Sequence, residues 1–423
     1  MVQAGWLAGR PARCPLRVRA ALAALLVGVF SLGPVREAEA QRPLLVGASI
    51  SRTGAYAELA PALQHGYRLC VKHANEKGGV MGRPLQLVIE DDRSEPATAA
   101  RLYERFITQD RVDALLGPYS SPITEAVADV AEKHRMPLVA SGAAATSIFK
   151  KGRRYVFMLV SPAEVYLEGL VDMAARRGLR TLALIHEDTL FPRAIAEGTV
   201  ALARTRGLSV VAVEAYPRGT KDFSGPLMRI RDANPDVLGA GTYFDDAVAI
   251  TRQLERVDLN PKMFAATVGS DFPKFYTELG RTAEFVYGNS QWEPDLVALL
   301  RAGGRIPVTR RYPGAREFVE AHRREFPGVA ISYHTAQGYG GCQVFVEAVR
   351  RADSLDGPKV RDALLKMDLN TVFGPFKVDA DGVQIAHKML MFQWQDGKKV
   401  IVWPDELAPD KPRFPTPPWS QRP

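Results

Sequence analysis

The chain has 423 residues, of which 46% are hydrophobic and 24% are charged. This composition is typical of a globular protein with sizeable apolar cores, and it excludes an intrinsically disordered chain. The formal net charge is +8 at pH 7, but the basic residues form no cluster interleaved with aromatic side chains, so no nucleic-acid partner is predicted. At about 100–200 residues per domain, the length favours two or three domains.

The first forty residues have the three parts of a secretory signal peptide. Four arginines precede an apolar run, residues 20–32, and Ala38-Glu39-Ala40 forms a small-x-small cleavage site. The apolar run is too short to anchor the chain in a bilayer, and no second candidate follows it. We therefore predict that residues 1–40 are removed on export to the periplasm and that the protein is not membrane-embedded. A buried N-terminal helix is the alternative.

Short apolar strands alternate with amphipathic helices in two series along the chain. The first series predicts strands at 44–50, 85–90, 112–117 and 137–140, with helices near 60–76, 96–109, 122–134 and 143–149. The second series, which begins near Pro162, predicts strands at 181–186, 208–213, 236–241 and 262–266, with helices near 164–178, 191–206, 221–233 and 245–257. Alternation of this kind indicates βαβ units and parallel sheets. Two series of similar size indicate two lobes.

Two cysteines, Cys70 and Cys342, remain after the predicted cleavage. The periplasm permits disulfides, but both cysteines lie in helical, largely apolar contexts, where a buried free thiol is common. A sequence does not give the Cα separation that a disulfide requires. We therefore favour two free thiols and keep the disulfide as the alternative.

The motifs of common enzyme classes are missing from the sequence. There is no G-x-S-x-G elbow, no phosphate-binding G-x-x-x-x-G-K-[ST] and no H-E-x-x-H. His186, Glu187 and Asp188 are adjacent at a strand end, where their side chains splay apart and form no metal site. The acidic run at 90–92 is interpreted as a solvated strand end and cap rather than an acid/base pair. No catalytic residue, metal or cofactor is predicted; a secreted hydrolase would need a nucleophile–base pair that we do not recognise.

Small polar residues follow two predicted strands of the first series. Ser120 and Ser121 come after the strand at 112–117, at the start of the next helix, and the segment 141–146 follows the next strand. Ligands of open parallel sheets bind at the carboxyl ends of strands, where helix N-termini offer unpaired N–H groups. A serine hydroxyl and backbone N–H groups here would suit a carboxylate. A plain helix cap is the alternative for the two serines.

Four segments occur in an informative order: GGVMGRPLQLVIEDD at 78–92, LLGPYSSPIT at 115–124, MPLVASGAAAT at 136–146 and FGPFKVDADG at 373–382. In this order they resemble the Leu/Ile/Val-binding family of type I periplasmic binding proteins. The resemblance covers nearly all of the chain that follows residue 40. It implies an α/β fold with two Rossmann-like lobes, whose parallel-rich sheets are joined by a three-segment hinge.

The resemblance also implies where the chain passes from one lobe to the other. After the signal peptide, lobe 1 would comprise 43–160 plus 290–368, and lobe 2 would comprise 161–289 plus 369–405. The candidate hinges are the less regular stretches at these boundaries. The proline-rich tail, 406–423, would be extended or disordered and would lack a core of its own.

The family's ligand contacts can be transferred to matching positions of this chain. Those in lobe 1 are Tyr56, Ser120, Ser121, Ala143, Ala145 and Thr146, and those in lobe 2 are Phe191, Thr242, Tyr243 and Val268. Val268 departs from the pattern, because amino-acid-binding relatives commonly carry there an acidic residue that pairs with the ligand ammonium. Asp245, Asp246 and Asp271 are nearby substitutes, but none is in register. A buried ammonium without a carboxylate costs several kcal/mol, so a ligand without the amine becomes a competitor.

We therefore predict a periplasmic substrate-binding protein of an ABC transporter. It would bind a small carboxylate-bearing ligand, a branched-chain or other amino acid, between two lobes that close on it. Its partners would be that ligand and the permease subunits of the transporter, and the protein would be a monomer. The alternatives are an aromatic or aliphatic carboxylate or an amide as ligand, or a role as a periplasmic sensor component.

Overall fold

The computed structural model describes residues 42–296 and 312–422. The predicted signal peptide, 1–40, lies outside the described residues, as does part of the second segment predicted for lobe 1. Within the described ranges, no helix combines the length and the apolar character needed to cross a membrane.

Strands and helices alternate along most of the described chain. The strands are β1 (Leu44–Ser49), β2 (Leu85–Glu90), β3 (Ala114–Leu116), β4 (Leu138–Ala140), β5 (Val156–Met158), β6 (Thr181–Glu187), β7 (Ser209–Tyr216), β8 (Val237–Gly241), β9 (Met263–Ala266), β10 (Tyr287–Ser290), β11 (Leu369–Asn370), β12 (Pro375–Phe376), β13 (Leu390–Gln395) and β14 (Lys398–Trp403). The helices are α1 (Ala60–Glu76), α2 (Pro96–Thr108), α3 (Ser121–Lys133), α4 (Glu168–Arg176), α5 (Leu190–Thr205), α6 (Ser224–Asp232), α7 (Phe244–Arg256), α8 (Pro273–Leu279), α9 (Ala315–Glu325), α10 (Tyr333–Ala352) and α11 (Gly357–Leu365).

The strands form two main sheets. The first has the order β2-β1-β3-β4-β5 and is parallel throughout. The second has the order β14-β13-β10-β9-β8-β6-β7, in which β13 pairs antiparallel with both β10 and β14 and the other pairs are parallel. Apolar strands joined through amphipathic helices produce this arrangement, because parallel neighbours require a crossover connection. The two predicted α/β series are thus confirmed.

One predicted helix of the first series is wrong. The expected helix at 143–149 is only a short 3-10 turn, Thr146–Ile148. The backbone N–H groups of Ala144 and Ala145 donate instead to Ser121 Oγ, at 3.1 and 3.2 Å. These N–H groups therefore face the start of α3, and the segment after β4 stays extended until Thr146.

The chain passes between the two sheets three times. It leaves the first sheet after β5 and forms β6 to β10 of the second sheet. It then returns through α10, which packs against α1 and the first sheet, before β13 and β14 complete the second sheet. This agrees with the three-segment hinge that the family resemblance implies. The residue numbers given above for the lobe boundaries remain predictions.

The packing of α1 against α10 corrects the expectation of two free thiols. Cys70 and Cys342 form a disulfide, with their Cα atoms 6.1 Å apart. Glycines make this approach possible, because a Cβ on Gly66 would lie 2.2 Å from Thr335 O and one on Gly338 would lie 2.3 Å from Leu63 O. The sequence correctly indicated that each cysteine lies in a helix. It did not show that the two helices pack against each other, and so the disulfide was not predicted.

The proline-rich tail packs against the second sheet. Thr416 N–H donates to Lys262 O at 3.1 Å, and the buried indole of Trp419 donates from Nε1 to Leu259 O at 3.3 Å. Of the two predicted alternatives, the tail is therefore extended and packed rather than disordered. It has no core of its own, because its apolar contacts belong to the neighbouring lobe.

Candidate functional site

A small cavity, about 20 Å³ in volume, lies between the carboxyl ends of the two sheets. This is where open parallel sheets bind ligands. Residues that follow β3, β4, β5, β6, β8 and β9 line it together with the start of α10. The full set is Tyr119, Ser120, Ser121, Gly142, Ala144, Val160, Tyr166, Phe191, Tyr243, Val268, Tyr333, His334 and Gln337.

The two predicted serines form one wall of this cavity. Ser120 has a φ of +86°, a region that costs a non-glycine residue on the order of 1–3 kcal/mol and that occurs often at functional sites. Its N–H donates to Gly142 O at 3.0 Å, which ties the loop after β3 to the loop after β4. Ser121 Oγ accepts the N–H groups of Ala144 and Ala145. Both serines therefore connect the loop after β3 to the loop after β4 at this wall of the cavity.

The loop after β4 places alternate residues at the cavity. Gly142 and Ala144 line it, whereas the predicted contacts Ala143 and Ala145 are buried without lining it. An extended segment explains this, since successive side chains point to opposite sides. Thr146, also predicted to contact the ligand, does not line the cavity. Its N–H donates to Glu164 Oε1 at 3.3 Å, and its hydroxyl donates to the same oxygen.

Aromatic rings form the opposite wall. Two of the residues predicted to contact the ligand, Phe191 and Tyr243, line the cavity, with their ring centres 5.6 Å apart. Tyr166 meets Phe191 edge-on at 5.1 Å. Tyr56 is not a lining residue, but its ring lies 4.9 Å from that of Tyr243. The wall is therefore a continuous aromatic cluster that joins the loop after β1 to the loop after β8.

Thr242 and Val268 occupy different positions relative to this wall. Thr242 is fully buried, and its N–H donates to Thr267 Oγ1 at 2.9 Å, so it joins the loops after β8 and β9 without lining the cavity. Val268 does line the cavity. An apolar side chain thus stands at the position where the resemblance leads one to look for a carboxylate.

Charged side chains also connect the two sheets beside the cavity. Arg218 Nη2 donates to the Tyr56 hydroxyl, and Arg218 Nε lies 3.3 Å from Glu187 Oε1. Lys274 Nζ lies 2.7 Å from Glu58 Oε2. Tyr56 and Glu58 belong to the loop after β1, whereas their partners belong to the second sheet's loops and helices. These contacts therefore join the two lobes.

Two acidic segments noted in the sequence have structural roles. Glu187 is buried against Arg218, while Asp188 points outward and pairs with Arg193 at 2.6 Å, which confirms that the adjacent side chains splay apart. Asp92 corrects the expectation of a solvated strand end, because it is fully buried. Its carboxylate accepts the hydroxyls of Ser49 and Ser51, both at 2.6 Å. Burial raises the pKa of Asp92, and the residue anchors the loop that carries Tyr56.

The family model for periplasmic binding proteins matches residues 43–399. The chain belongs to this family. Leu/Ile/Val-binding protein homolog 7 of Brucella melitensis is 27% identical to it over 410 residues, which cover 93% of this chain and 98% of that protein. The prediction of a Leu/Ile/Val-binding type of periplasmic protein, made from four sequence segments, is thus confirmed. This family consists of solute-binding proteins rather than enzymes.

Solved structures share the fold of this periplasmic binding protein at lower identity. The branched-chain amino acid transporter substrate binding protein LivJ from Streptococcus pneumoniae, in complex with isoleucine, has a TM-score of 0.72 at 21% identity, covering 86% of this chain and 100% of that one. An ABC transporter solute binding protein from R. palustris, in complex with benzoate, has a TM-score of 0.72 at 19% identity, covering 85% and 95%. At these identities they establish the two-lobed fold.

The three connections between the lobes meet beside the cavity. Ser161 N–H donates to Gln291 Oε1 at 2.7 Å, and Ser161 Oγ lies 3.0 Å from His387 Nδ1. The same Gln291 donates from Nε2 to the hydroxyl of Tyr166 at 2.7 Å. Since Tyr166 lines the cavity, one glutamine links two of the connecting segments to the cavity wall of the binding protein.

Some lining residues escaped the sequence analysis. Tyr119 stands directly beside the predicted serines, and its place at the strand end was a usable signal. Tyr333, His334 and Gln337 belong to the first turns of α10, far along the chain. No local pattern shows that this helix begins at the strand ends of the first sheet. Among the described residues, no cluster of histidine, cysteine and acidic side chains could hold a metal ion.

Proposed function

We propose that this periplasmic binding protein is the substrate-binding component of an ABC transporter and that it holds a small carboxylate-bearing ligand in the cavity between its lobes. The geometry of Ser121 carries the proposal. Its Oγ already accepts two backbone N–H groups, so its hydroxyl hydrogen is left to donate, and the residue lines the cavity. A ligand carboxylate is the matching acceptor, and it would also gain from the N-terminus of α3.

The lining narrows the ligand class. The rings of Tyr119, Tyr166, Phe191 and Tyr243 surround the cavity, and they favour a ligand with an apolar or aromatic body of modest size. The names of the relatives favour a branched-chain amino acid. The benzoate complex of the R. palustris protein and the apolar Val268 favour an aromatic acid as a second candidate.

Binding would work through closure of the lobes. Lobe 1 supplies the serines and lobe 2 supplies Tyr166, Phe191 and Tyr243, so a ligand that touches both lobes stabilises the closed arrangement. The connecting segments at Ser161, Gln291 and His387 would serve as the hinge. The transporter's permease subunits would recognise the closed form, because only closure brings the surfaces of both lobes into one geometry. Export to the periplasm would depend on residues 1–40.

A ligand screen on the chain from Gln41 onward tests the proposal. The protein is unfolded, dialysed to remove bound ligand and refolded, and its thermal unfolding is then followed with amino acids, their deaminated acids, aromatic carboxylates and amides. A carboxylate present at a hundred times its dissociation constant adds about 2.7 kcal/mol to the free energy of unfolding. If no carboxylate in the screen raises the unfolding temperature, the proposal fails.

A serine variant then tests the site itself. Ser121→Ala should weaken binding of the identified carboxylate by about 1–3 kcal/mol, the usual cost of losing a hydrogen bond to a charged group. The matched control is Ser224→Ala, because Ser224 is likewise the first residue of its helix, α6, and lies away from the cavity. Titration calorimetry should show a larger dissociation constant for Ser121→Ala and an unchanged one for Ser224→Ala. Equal affinities in both variants would remove Ser121 from the ligand site.

A further inference from the structure

A second cavity, of about 140 Å³, lies between α1, α10 and β11. No described residue lines both this cavity and the one between the lobes. Cys70 lines the second cavity, whereas Cys342, the other half of the disulfide, does not. Cys70 is also the more exposed of the two residues, at 4% against 1%. Of the two cysteines in the disulfide, only Cys70 therefore borders this cavity.

The entrance of the second cavity is basic. Lys77 and Arg350, at the ends of α1 and α10, line the cavity and are exposed to solvent. The acidic lining residue, Glu347, accepts from Arg351 Nε at 2.8 Å, so its charge is offset. Burial lowers the pKa of His73, another lining residue, so this histidine is uncharged at neutral pH. Lys77 and Arg350 thus attract thiolates, which cations stabilise and which are the species that exchange with disulfides.

The disulfide lies on the same helix as part of the cavity between the lobes. Tyr333 and Gln337, in the first turns of α10, line that cavity. Cys342 follows Gln337 by five residues, about one and a half turns of helix. The disulfide joins this part of α10 to Cys70 of α1. It therefore helps to fix where the first turns of α10 lie in the cavity between the lobes.

We propose that this disulfide is a thiol-exchange site, entered at Cys70, whose opening weakens ligand binding in the cavity between the lobes. The co-reactant is a dithiol. While the disulfide is closed, a covalent bond holds α10 against α1. Once it is open, packing alone holds the two helices together, so ordering the first turns of α10 on ligand binding costs additional free energy. The effect on ligand affinity rests on the proposed function, whereas the exchange reaction does not.

The exchange takes place in two steps. In the first, one thiolate of the dithiol attacks Cys70 Sγ from the second cavity. The bond between the two cysteines breaks, and its electron pair goes to Cys342 Sγ, which takes a proton from water. In the second, the other thiolate of the dithiol attacks the dithiol's own sulfur in the mixed disulfide and releases Cys70, which is protonated in turn. The dithiol leaves as a cyclic disulfide, oxidised by the two electrons that reduce the protein disulfide to two thiols.

A monothiol tests the point of entry, because a short exposure traps the mixed disulfide. The folded protein is treated with 2-mercaptoethanesulfonate, free thiols are blocked with N-ethylmaleimide, and the peptides are mapped by mass spectrometry. The monothiol should be found on Cys70 and the maleimide on Cys342. The rate should be proportional to the thiol concentration, since attack on the folded protein rather than unfolding limits it. Reaction mainly at Cys342, or reaction only in urea, would overturn the proposal.

A charge variant tests the entrance of the second cavity. Lys77→Glu should slow exchange with this anionic thiol by about threefold or more at low ionic strength, because an anion replaces a cation beside the path to Cys70. Lys398→Glu is the matched control and should leave the rate unchanged, because Lys398 is exposed at the start of β14 in the second sheet. Equal rates in the two variants would contradict entry through this cavity.

Titration calorimetry then tests the effect on ligand affinity. The dissociation constant of the carboxylate found in the screen should rise by about threefold or more on reduction with dithiothreitol and return on reoxidation. The double variant Cys70→Ala/Cys342→Ala should match the reduced protein. Ile230→Ala is the control, because it removes a buried side chain of α6 in the second lobe, and so it should lower stability and leave the dissociation constant unchanged. Equal dissociation constants for the oxidised and reduced protein would refute the inference while the proposed function stands. If no carboxylate binds, the proposed function and the effect on affinity both fail.

Discussion

Arg218 contacts Tyr56 between the two lobes, donating from Nη2 to the tyrosine hydroxyl, with its guanidinium carbon 5.2 Å from the centre of the ring. Arg218 follows β7 of the second sheet, and Tyr56 lies in the loop after β1 of the first. The lobes are therefore joined by side chains of the protein itself, in addition to any ligand. The ion pair of Lys274 with Glu58, at 2.7 Å, adds a second contact of the same kind.

Removing the Arg218 contact should shift the protein towards an open form. Arg218→Ala removes a hydrogen bond and a cation–π contact, together worth about 1–2 kcal/mol, so the ratio of closed to open molecules should fall by about tenfold. Small-angle X-ray scattering without ligand should then give a larger radius of gyration. Arg193→Ala is the control, because Arg193 pairs with Asp188 on the same lobe. An equal radius of gyration in both variants would contradict the prediction.

Reduction of the Cys70–Cys342 disulfide should destabilise the protein. The disulfide joins residues that are 272 apart in sequence, and closing so long a loop restricts the unfolded chain by about 2–5 kcal/mol. Urea unfolding with and without dithiothreitol should show a lower free energy of unfolding under reducing conditions. The double variant Cys70→Ala/Cys342→Ala should be unaffected by the reductant, and a wild-type protein that is equally unaffected would rule the prediction out.

The contact between α1 and α10 should not tolerate a methyl group. In Gly338→Ala the new Cβ would lie 2.3 Å from Leu63 O, so the helices must separate, at about 1–3 kcal/mol or more of overpacking. Gly225→Ala is a matched control in α6, where the nearest atom to the new Cβ is Arg229 Nη1 at 3.7 Å. Urea unfolding should show lower stability only for Gly338→Ala. Similar midpoints for the two variants would mean that the close approach is not required.

Local patterns predicted the strands and the helices between them, because each element's apolar spacing is fixed by its own few residues. β2, for example, has the predicted bounds 85–90, and α1 has the predicted bounds 60–76. The loops after the strands were also found, since serines and glycines mark helix starts and turns. The fold resemblance then placed Phe191, Tyr243 and Val268 near one site.

Contacts between distant segments could not be predicted in this way. His334 and Tyr119 are 215 residues apart, and Arg218 and Tyr56 are 162 apart. These contacts depend on how the chain crosses between the lobes. The hydrophobic pattern of the sequence near either residue does not show this crossing. Asp271 shows the same limit at short range. Alignment by position selects Val268, whereas the carboxylate three residues later lies 3.9 Å from His334, which lines the cavity.

Asp271 should make stability depend on pH in a specific direction. Burial raises its pKa to about 7 in the folded protein, whereas an Asp in an unfolded chain has a pKa of about 3.9. Between about pH 4 and pH 7 the folded protein therefore holds the proton that the unfolded chain has lost, so the contribution of Asp271 to stability falls as pH rises. It is fully present below about pH 4 and lost above about pH 7.

Asp271→Asn isolates this contribution, because asparagine has nearly the same shape and does not titrate. The variant should gain stability relative to the wild type between pH 4.5 and pH 7.5, by about 1–4 kcal/mol at 1.36 kcal/mol per pKa unit. Urea unfolding of both proteins at the two pH values measures this difference. Burial lowers the pKa of His334 to about 3 in the folded protein, so His334 reduces the stability of both proteins as pH falls below about 6.5. This contribution is the same in the wild type and the variant and cancels in their difference. Asp245→Asn, at an exposed position, should show a pH-independent difference. If Asp271→Asn does the same, its carboxyl titrates at an ordinary pKa and is not buried as described.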